Sequence, residues 1–204
     1  MCYTCIVKLY YTQMKKLNVL FLALIVSGSV FAQTKWDLDK AHSSLTFSVV
    51  HMTVAETTGT FNDYTVDVTS PAEDFNGADV TFTAKTASIN TQNERRDGHL
   101  KSPDFFDAEK FPDITFKGIL SKAAGKYQLK GKLTVKDVTK DVTWDVTYRG
   151  TLKGEKFTKA GFKMIGKIDR FEYNLKWDAK VETGGLVVGQ EVEFVANIEL
   201  NLAK

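Results

Sequence analysis

The sequence predicts an all-β protein, an extended antiparallel barrel of about eight strands with one short helical insert. Two observations lead there. Beyond residue 35 apolar and polar residues alternate with a period of two, the pattern of strands with one buried face. Between the alternating runs stand pairs such as Asn76-Gly77 and Gly184-Gly185, which supply the positive φ of tight hairpins. The composition is that of a globular chain, 43% hydrophobic and 25% charged, which excludes whole-chain disorder and a polytopic membrane protein.

Taken in order, Leu45, Phe47 and Val49 alternate with Thr46 and Ser48, and Val80, Phe82 and Ala84 alternate with Thr81, Thr83 and Lys85. Over residues 89–111 the alternation stops. Ser102-Pro103-Asp104 reads there as an N-cap, an N1 proline and an acidic first turn, predicting a short helix over Asp104–Glu109. Pro112 ends that segment, and Ile114-Thr115-Phe116 resumes a strand. After a turn at Gly125-Lys126 come Tyr127-Leu129 leading to Leu133-Val135, then Val142-Trp144-Val146-Tyr148. Gly150 to Gly154 reads as a turn, Leu175-Trp177-Ala179-Val181 as a further strand, and Val192 to Leu202 as the longest. Runs such as Lys126–Lys136 and Gln190–Leu202 exceed the roughly six residues of an immunoglobulin-type strand, which favours a barrel over a sandwich. Its inward residues are bulky and apolar. Periodicity alone leaves open whether they fill a solid core or line a cavity.

The first 32 residues differ from the rest. Lys15-Lys16 followed by the apolar run Leu17–Val26 and by Val30-Phe31-Ala32 reads as a secretory signal peptide over residues 14–32, cleaved near Ala32. Residues 1–13 then read as an upstream extension, and residues 33–204 as one exported domain, periplasmic or secreted. Cys2 and Cys5, the chain's two cysteines, fall in the extension, so the mature domain has no disulfide, thiolate nucleophile or sulfur-ligated metal. The formal charge of +2 also dissolves: without Lys8, Lys15 and Lys16, 24 basic residues face 25 acidic ones. Nothing in that balance points to nucleic acid.

An ordered series of motifs resembles the YceI-like family. Asp39-Lys40-Ala41-His42-Ser43-Ser44-Leu45-Thr46-Phe47-Ser48-Val49-Val50-His51 resembles its opening D-x-x-H-S-x-I-x-F-x-V-x-H, and Asn93–Phe106 resembles its N-x-x-R-D-x-H-L-K-S-x-D-F-F segment. Phe111–Phe116, Gly131–Lys140, Ile168–Tyr173 and Val188–Val192 follow in the family's order, so the likeness spans about residues 36–202. Asp137 and Asn174 stand where the family usually has glycine; both are residue types able to take the left-handed conformation. The resemblance implies a lipocalin-like barrel that is no enzyme, carries no metal or cofactor, and binds a polyisoprenoid or other long-chain lipid inside.

On that reading the lining consists of Phe47, Val49, Phe82, Phe116 and Leu133, with Trp144, Val146, Phe162, Trp177 and Phe194. Such a protein takes a hydrophobic small molecule and makes passing contact with a membrane or membrane protein, as monomer or homodimer. A secreted, non-enzymatic structural or interaction module with a solid core is the alternative. Arg95, Arg96 and His99 form the densest polar cluster with Asp97. They read either as a head-group clamp at the mouth or as an Arg–Asp lattice pinning the helical insert, with Asp169 or Arg170 as further partners. His42 and His51 are nine residues apart and face opposite sides of a regular strand, which argues against a shared metal; His42 and Ser43 read as bonding backbone at a strand start. No nucleophile-elbow glycines surround Ser43, so a hydrolase has no support.

Overall fold

The computed structural model describes residues 33–180 and 184–203; residues 1–32, read above as extension and signal peptide, and Val181 of the predicted strand lie outside the described residues. Eleven strand segments appear among them: β1 (Thr34–Leu38), β2 (Ser44–His51), β3 (Ala55–Phe61), β4 (Tyr64–Ser70), β5 (Ala78–Lys85), β6 (Ile89–Asn90), β7 (Asp113–Ala123), β8 (Lys126–Val135), β9 (Val138–Lys153), β10 (Thr158–Asp169) and β11 (Val188–Leu202). All pairings are antiparallel. The order β1-β4-β5-β7-β8-β9-β10-β11 returns to β1 through Trp36↔Leu202, closing an eight-stranded barrel with no free edge in the ring.

The three remaining segments extend that ring. β2 continues β1 beyond a single 3-10 turn at Lys40–His42 and pairs with the upper part of β11; β3 likewise runs into β4 across Asn62-Asp63, and β5 into β6 across Thr86–Ser88. The chain is thus an up-and-down meander of eight long staves, the first three bent at neighbouring levels. Hydrogen bonds span these breaks. Ser43 Oγ accepts from Glu199 N–H at 2.9 Å, while His42 meets the Asp39 carboxylate at 3.1 Å through Nδ1 rather than a backbone group.

Several sequence expectations are corrected here. The helix, α1, spans Glu94–Lys101, ahead of the predicted Asp104–Glu109. Asn93 caps it by accepting from Arg96 N–H, and Ser102 is its C-cap. Pro103 disfavours helix at the residue before it, so the signal taken for a start marks an end. Gly150 is no turn residue: β9 runs on to Lys153, and Gly150 (φ 115°) sits at a bulge where the pairing with β10 shifts. Residues 175–179 join no strand, with a lone bridge from Lys180 to Leu186, and this stretch lies across the barrel end against Phe105 and His99 instead of joining the wall. Asn174 does adopt the left-handed conformation (φ 58°, ψ 21°), whereas in the β8–β9 turn Lys136, not Asp137, has positive φ. The two residues that stand in place of glycine are bonded to each other, Asn174 Nδ2 donating to Asp137 Oδ1 at 3.1 Å.

The inward faces of the staves form the core, and one end of the barrel is stoppered from within. The loop joining β4 to β5 folds Phe75 inward until it is 0% exposed, against Trp36 and Phe162, each with ring centroids 4.9 Å away. Tyr127 donates to Asp74 O at 2.8 Å, and Lys122 Nζ reaches the Asp74 carboxylate at 3.0 Å, tying the loop to β7 and β8. Phe75 itself has φ 61°, a conformation that asks for such anchoring.

Candidate functional site: an apolar barrel cavity

Alternation places one face of every stave inward, and the bulky residues there do not fill the barrel. A cavity of about 230 Å³ remains, lined by residues from all eight staves. On β11 the lining runs from Val188 to Leu200, which at ~3.3 Å per residue and a strand tilt of ~40° spans roughly 30 Å of barrel axis. The space is therefore long for its volume. Aromatic rings partition it: Trp144 lies 5.3 Å from Phe116 and meets Phe194 edge-on at 4.8 Å, and Phe47 lies 5.7 Å from Phe61.

Phe47, Val49, Phe82, Phe116, Leu133, Trp144, Val146, Phe162 and Phe194 all border the cavity. Trp177 does not. It lies on the crossing stretch at the end opposite Phe75, 5.3 Å from Phe105, and both rings meet His99 edge-on at 5.0 Å. Phe105 and its neighbours Leu100 and Phe106 do border the cavity, so Trp177 backs the cover of this end while they form its inner surface.

The polar cluster divides by role. Arg96 donates through Nε to Thr91 Oγ1 at 2.7 Å and through a terminal nitrogen to Thr91 O at 2.8 Å. Asp97 accepts from the amide and hydroxyl of the same threonine, at 2.8 and 2.6 Å. Thr91, buried at 5% exposure, is thus the hub that joins α1 to β6, and Asp169 and Arg170 take no part. Arg95 is exposed, and His99 Nε2 faces the Asp104 carboxylate at 3.1 Å.

Arg170 is the charged residue that alternation does not reveal. Only 2% exposed, it directs its guanidinium to the carbonyls of Leu175, Trp177, Val188 and Gly189. Burial pushes its pKa down, opposed by Asp178 and Asp169. It ties Leu175 and Trp177 to the start of β11 at Val188 and Gly189, and its carbon atoms border the cavity at that end.

At the bend between β1 and β2, Asp39, His42 and Glu199 converge closely enough to invite a cation. Lys159 already supplies one, its ammonium 2.7 Å from the Asp39 carboxylate and bonded to that of Glu199. The hydrogen bond from Lys159 is the main reason that the Asp39 carboxyl is held well below the usual carboxylate range; the bond from His42 adds to it. A metal would have to displace this lysine.

Comparison with known proteins agrees with the architecture. A UPF0312 protein of Staphylococcus aureus (strain USA300) is 37% identical over 175 residues, covering 84% of this chain and 99% of the relative. Among solved structures, Burkholderia cenocepacia BcnA superposes with a TM-score of 0.69 at 25% identity, over 80% of this chain and 99% of that one. The Campylobacter jejuni YCEI protein gives 0.64 at 32% identity, over 82% and 97%. A polyisoprenoid binding domain from Saccharophagus degradans, implicated in plant cell wall breakdown, shares the fold at 14% identity, with a TM-score of 0.59 over 82% and 98%. Residues 36–200, from Trp36 on β1 to Leu200 on β11, match the YceI-like domain, and the chain belongs to that family.

Proposed function

We propose that this protein is an exported, non-enzymatic carrier that holds a long-chain amphiphile, such as a polyisoprenoid, an isoprenoid quinone or a fatty acid derivative, within its barrel. The observation that carries the reading is the cavity: about 230 Å³, elongated, and walled by hydrocarbon and aromatic side chains from every stave. Each methylene moved from water into such a space contributes about 0.8 kcal/mol, so a ten- to twenty-carbon chain gains roughly 8–16 kcal/mol before association costs. That is enough to retain a water-insoluble tail. The Saccharophagus degradans domain, whose name states polyisoprenoid binding, shares the barrel. The leader at residues 14–32 supports export, which places the carrier beside a membrane from which it loads or to which it delivers.

The residues offer little to an enzyme. Ser43 is spent on the Glu199 backbone, His42 is turned to Asp39, and Asp97 is bonded to Thr91, so they form no triad. Native mass spectrometry of protein purified from the exporting host, followed by solvent extraction, tests the carrier. An adduct of several hundred daltons that leaves with the solvent is the expected result. Protein that is always bare and takes up no prenyl lipid or fatty amide overturns the carrier and favours the solid scaffold.

A further inference from the structure

Alternation calls for a bulky apolar residue at the inward positions of each stave, yet four of these are glycine: Gly59 on β3, Gly118 on β7, Gly131 on β8 and Gly166 on β10. All four lie within strands and none has positive φ, so the backbone itself does not demand glycine there. A glycine inside a strand costs stability, and a common reason for one is close approach of another group. Here the group is an aromatic ring in the space that a side chain would take. Phe47 covers Gly59, Phe116 covers Gly118 and Gly131, and Phe194 with Trp144 covers Gly166. All four rings border the cavity.

The glycines differ in what resists a side chain. At Gly118 and Gly131 a Cβ would strike the backbone of the neighbouring strand, and at Gly59 it would also press on Thr91, the hub that joins α1 to β6. Packing of the wall accounts for those three. At Gly166 the three nearest atoms all belong to rings. A Cβ would collide with Phe194 Cζ and lie 2.7 Å from Phe194 Cε2 and 2.8 Å from Trp144 Cδ1, against about 3.5–4.0 Å for ordinary carbon contact. Phe194 stands directly opposite Gly166 in the β10–β11 ladder. Its ring meets Trp144 edge-on at 4.8 Å, and Trp144 lies 5.3 Å from Phe116. The partition of the cavity thus leans on Gly166, and the open space into which its rings could yield is the lumen.

We infer that Gly166 sets the width of the lumen at this partition: the volume it leaves empty lets the Phe194 and Trp144 rings lie back against the wall, which widens the passage beside them for a bound chain. That volume is one methyl group, the same unit by which a methyl-branched chain exceeds an unbranched one. Branches recur along an isoprenoid chain, so no register of it avoids the partition, whereas an unbranched chain is slim throughout. Gly166 is therefore a specificity-determining position for the width of the ligand's chain, and this rests on the carrier reading.

The test compares wild type with Gly166→Ala and with the double variant Gly166→Ala/Phe194→Leu, each as the exported protein. The probes are phytanol and hexadecanol, saturated alcohols of equal main-chain length that differ in their methyl branches. Gly166→Ala should weaken phytanol about tenfold and hexadecanol by no more than about threefold, the scale on which a misfit of one methyl is felt in an apolar pocket. Trimming the ring in the double variant should return phytanol to within about threefold of wild type. That rescue is decisive whether or not the single variant folds. A double variant as impaired as the single one, in folding or in phytanol binding, overturns the inference, because the Cβ would then act on the backbone and not through the ring. Equal losses for both probes, or no loss for either, overturn it too while leaving the carrier standing. Failure of wild type to bind either alcohol overturns the carrier reading, and the inference with it.

Discussion

At the scale of single residues, the chemistry of this barrel is decided by where charge is allowed to sit. Asp39, Glu199 and Lys159 form a compact, partly shielded ion cluster where the first stave bends, and their mutual satisfaction lets β1 and β2 share β11 across the break. The sign of its pH dependence follows from Asp39. Its folded pKa lies below the unfolded value of about 3.9, so its contribution is fully present above that value and fades as pH falls through the folded pKa. Lys159→Met removes the largest cause of that depression. Urea unfolding should therefore show the variant less stable than wild type at neutral pH, with a gap that narrows as pH drops below about 4. A gap independent of pH would mean that the lysine acts through packing alone. Tyr64 and Arg170, in contrast, are buried polar groups that the chain keeps despite their cost, one paired with carbonyls and one without a partner among the described residues. Neither was legible from alternation, which sorts residues into inward and outward and says nothing of what an inward hydroxyl or guanidinium will meet.

At the scale of elements, alternation identified the walls because period two is a direct consequence of strand geometry. The runs through Phe47, Phe82, Trp144 and Phe194 lie on β2, β5, β9 and β11 with those rings at the cavity. The same logic failed at Leu175-Trp177-Ala179, whose alternation arises because the crossing segment covers an apolar end, so Trp177 faces Phe105 and His99 instead of the lumen. Glycine misled in the opposite way. Gly150, read as turn punctuation, sits at a bulge inside β9, and Gly118 and Gly131 are paired face to face in mid-strand on β7 and β8, with the Phe116 ring laid across them. A Cβ on Gly131 would meet Lys117 O and lie 2.5 Å from Gly118 Cα and 2.7 Å from the Phe116 ring, and backbone cannot yield as a side chain can. Gly131→Ala should thus cost about 1–3 kcal/mol in urea unfolding, the range of overpacked cores. A neutral substitution would show that β7 and β8 separate more easily than their ladder implies.

At the scale of the whole molecule, the barrel has two unlike ends, and the difference bears on what it can hold. One end is crossed by a cover of separate pieces, α1, the Phe105-Phe106 turn and the segment pinned by Arg170. The other is stoppered by an aromatic group in which Phe75 is clamped between Trp36, Tyr148 and Phe162, and Phe162 is the member that borders the cavity. Alternation does not mark Phe75, because Pro71-Ala72-Glu73-Asp74-Phe75-Asn76-Gly77 has the composition of a solvent-exposed turn. A phenylalanine amid such polarity was the available signal, and only closure of the ring, a long-range property, reveals what it plugs. A stopper of this kind sets the maximum length of the chain that the cavity admits. Phe75→Ala should lower stability by about 3–5 kcal/mol, as for other fully buried phenylalanines, and extend the lumen toward the β4–β5 loop. In a chain-length series of prenyl alcohols read by native mass spectrometry, the folded variant should then retain longer chains than wild type, with little change for short ones. An unchanged length preference in a variant shown to be folded would mean that the aromatic partition at Trp144 and Phe194, higher in the barrel, fixes the limit instead.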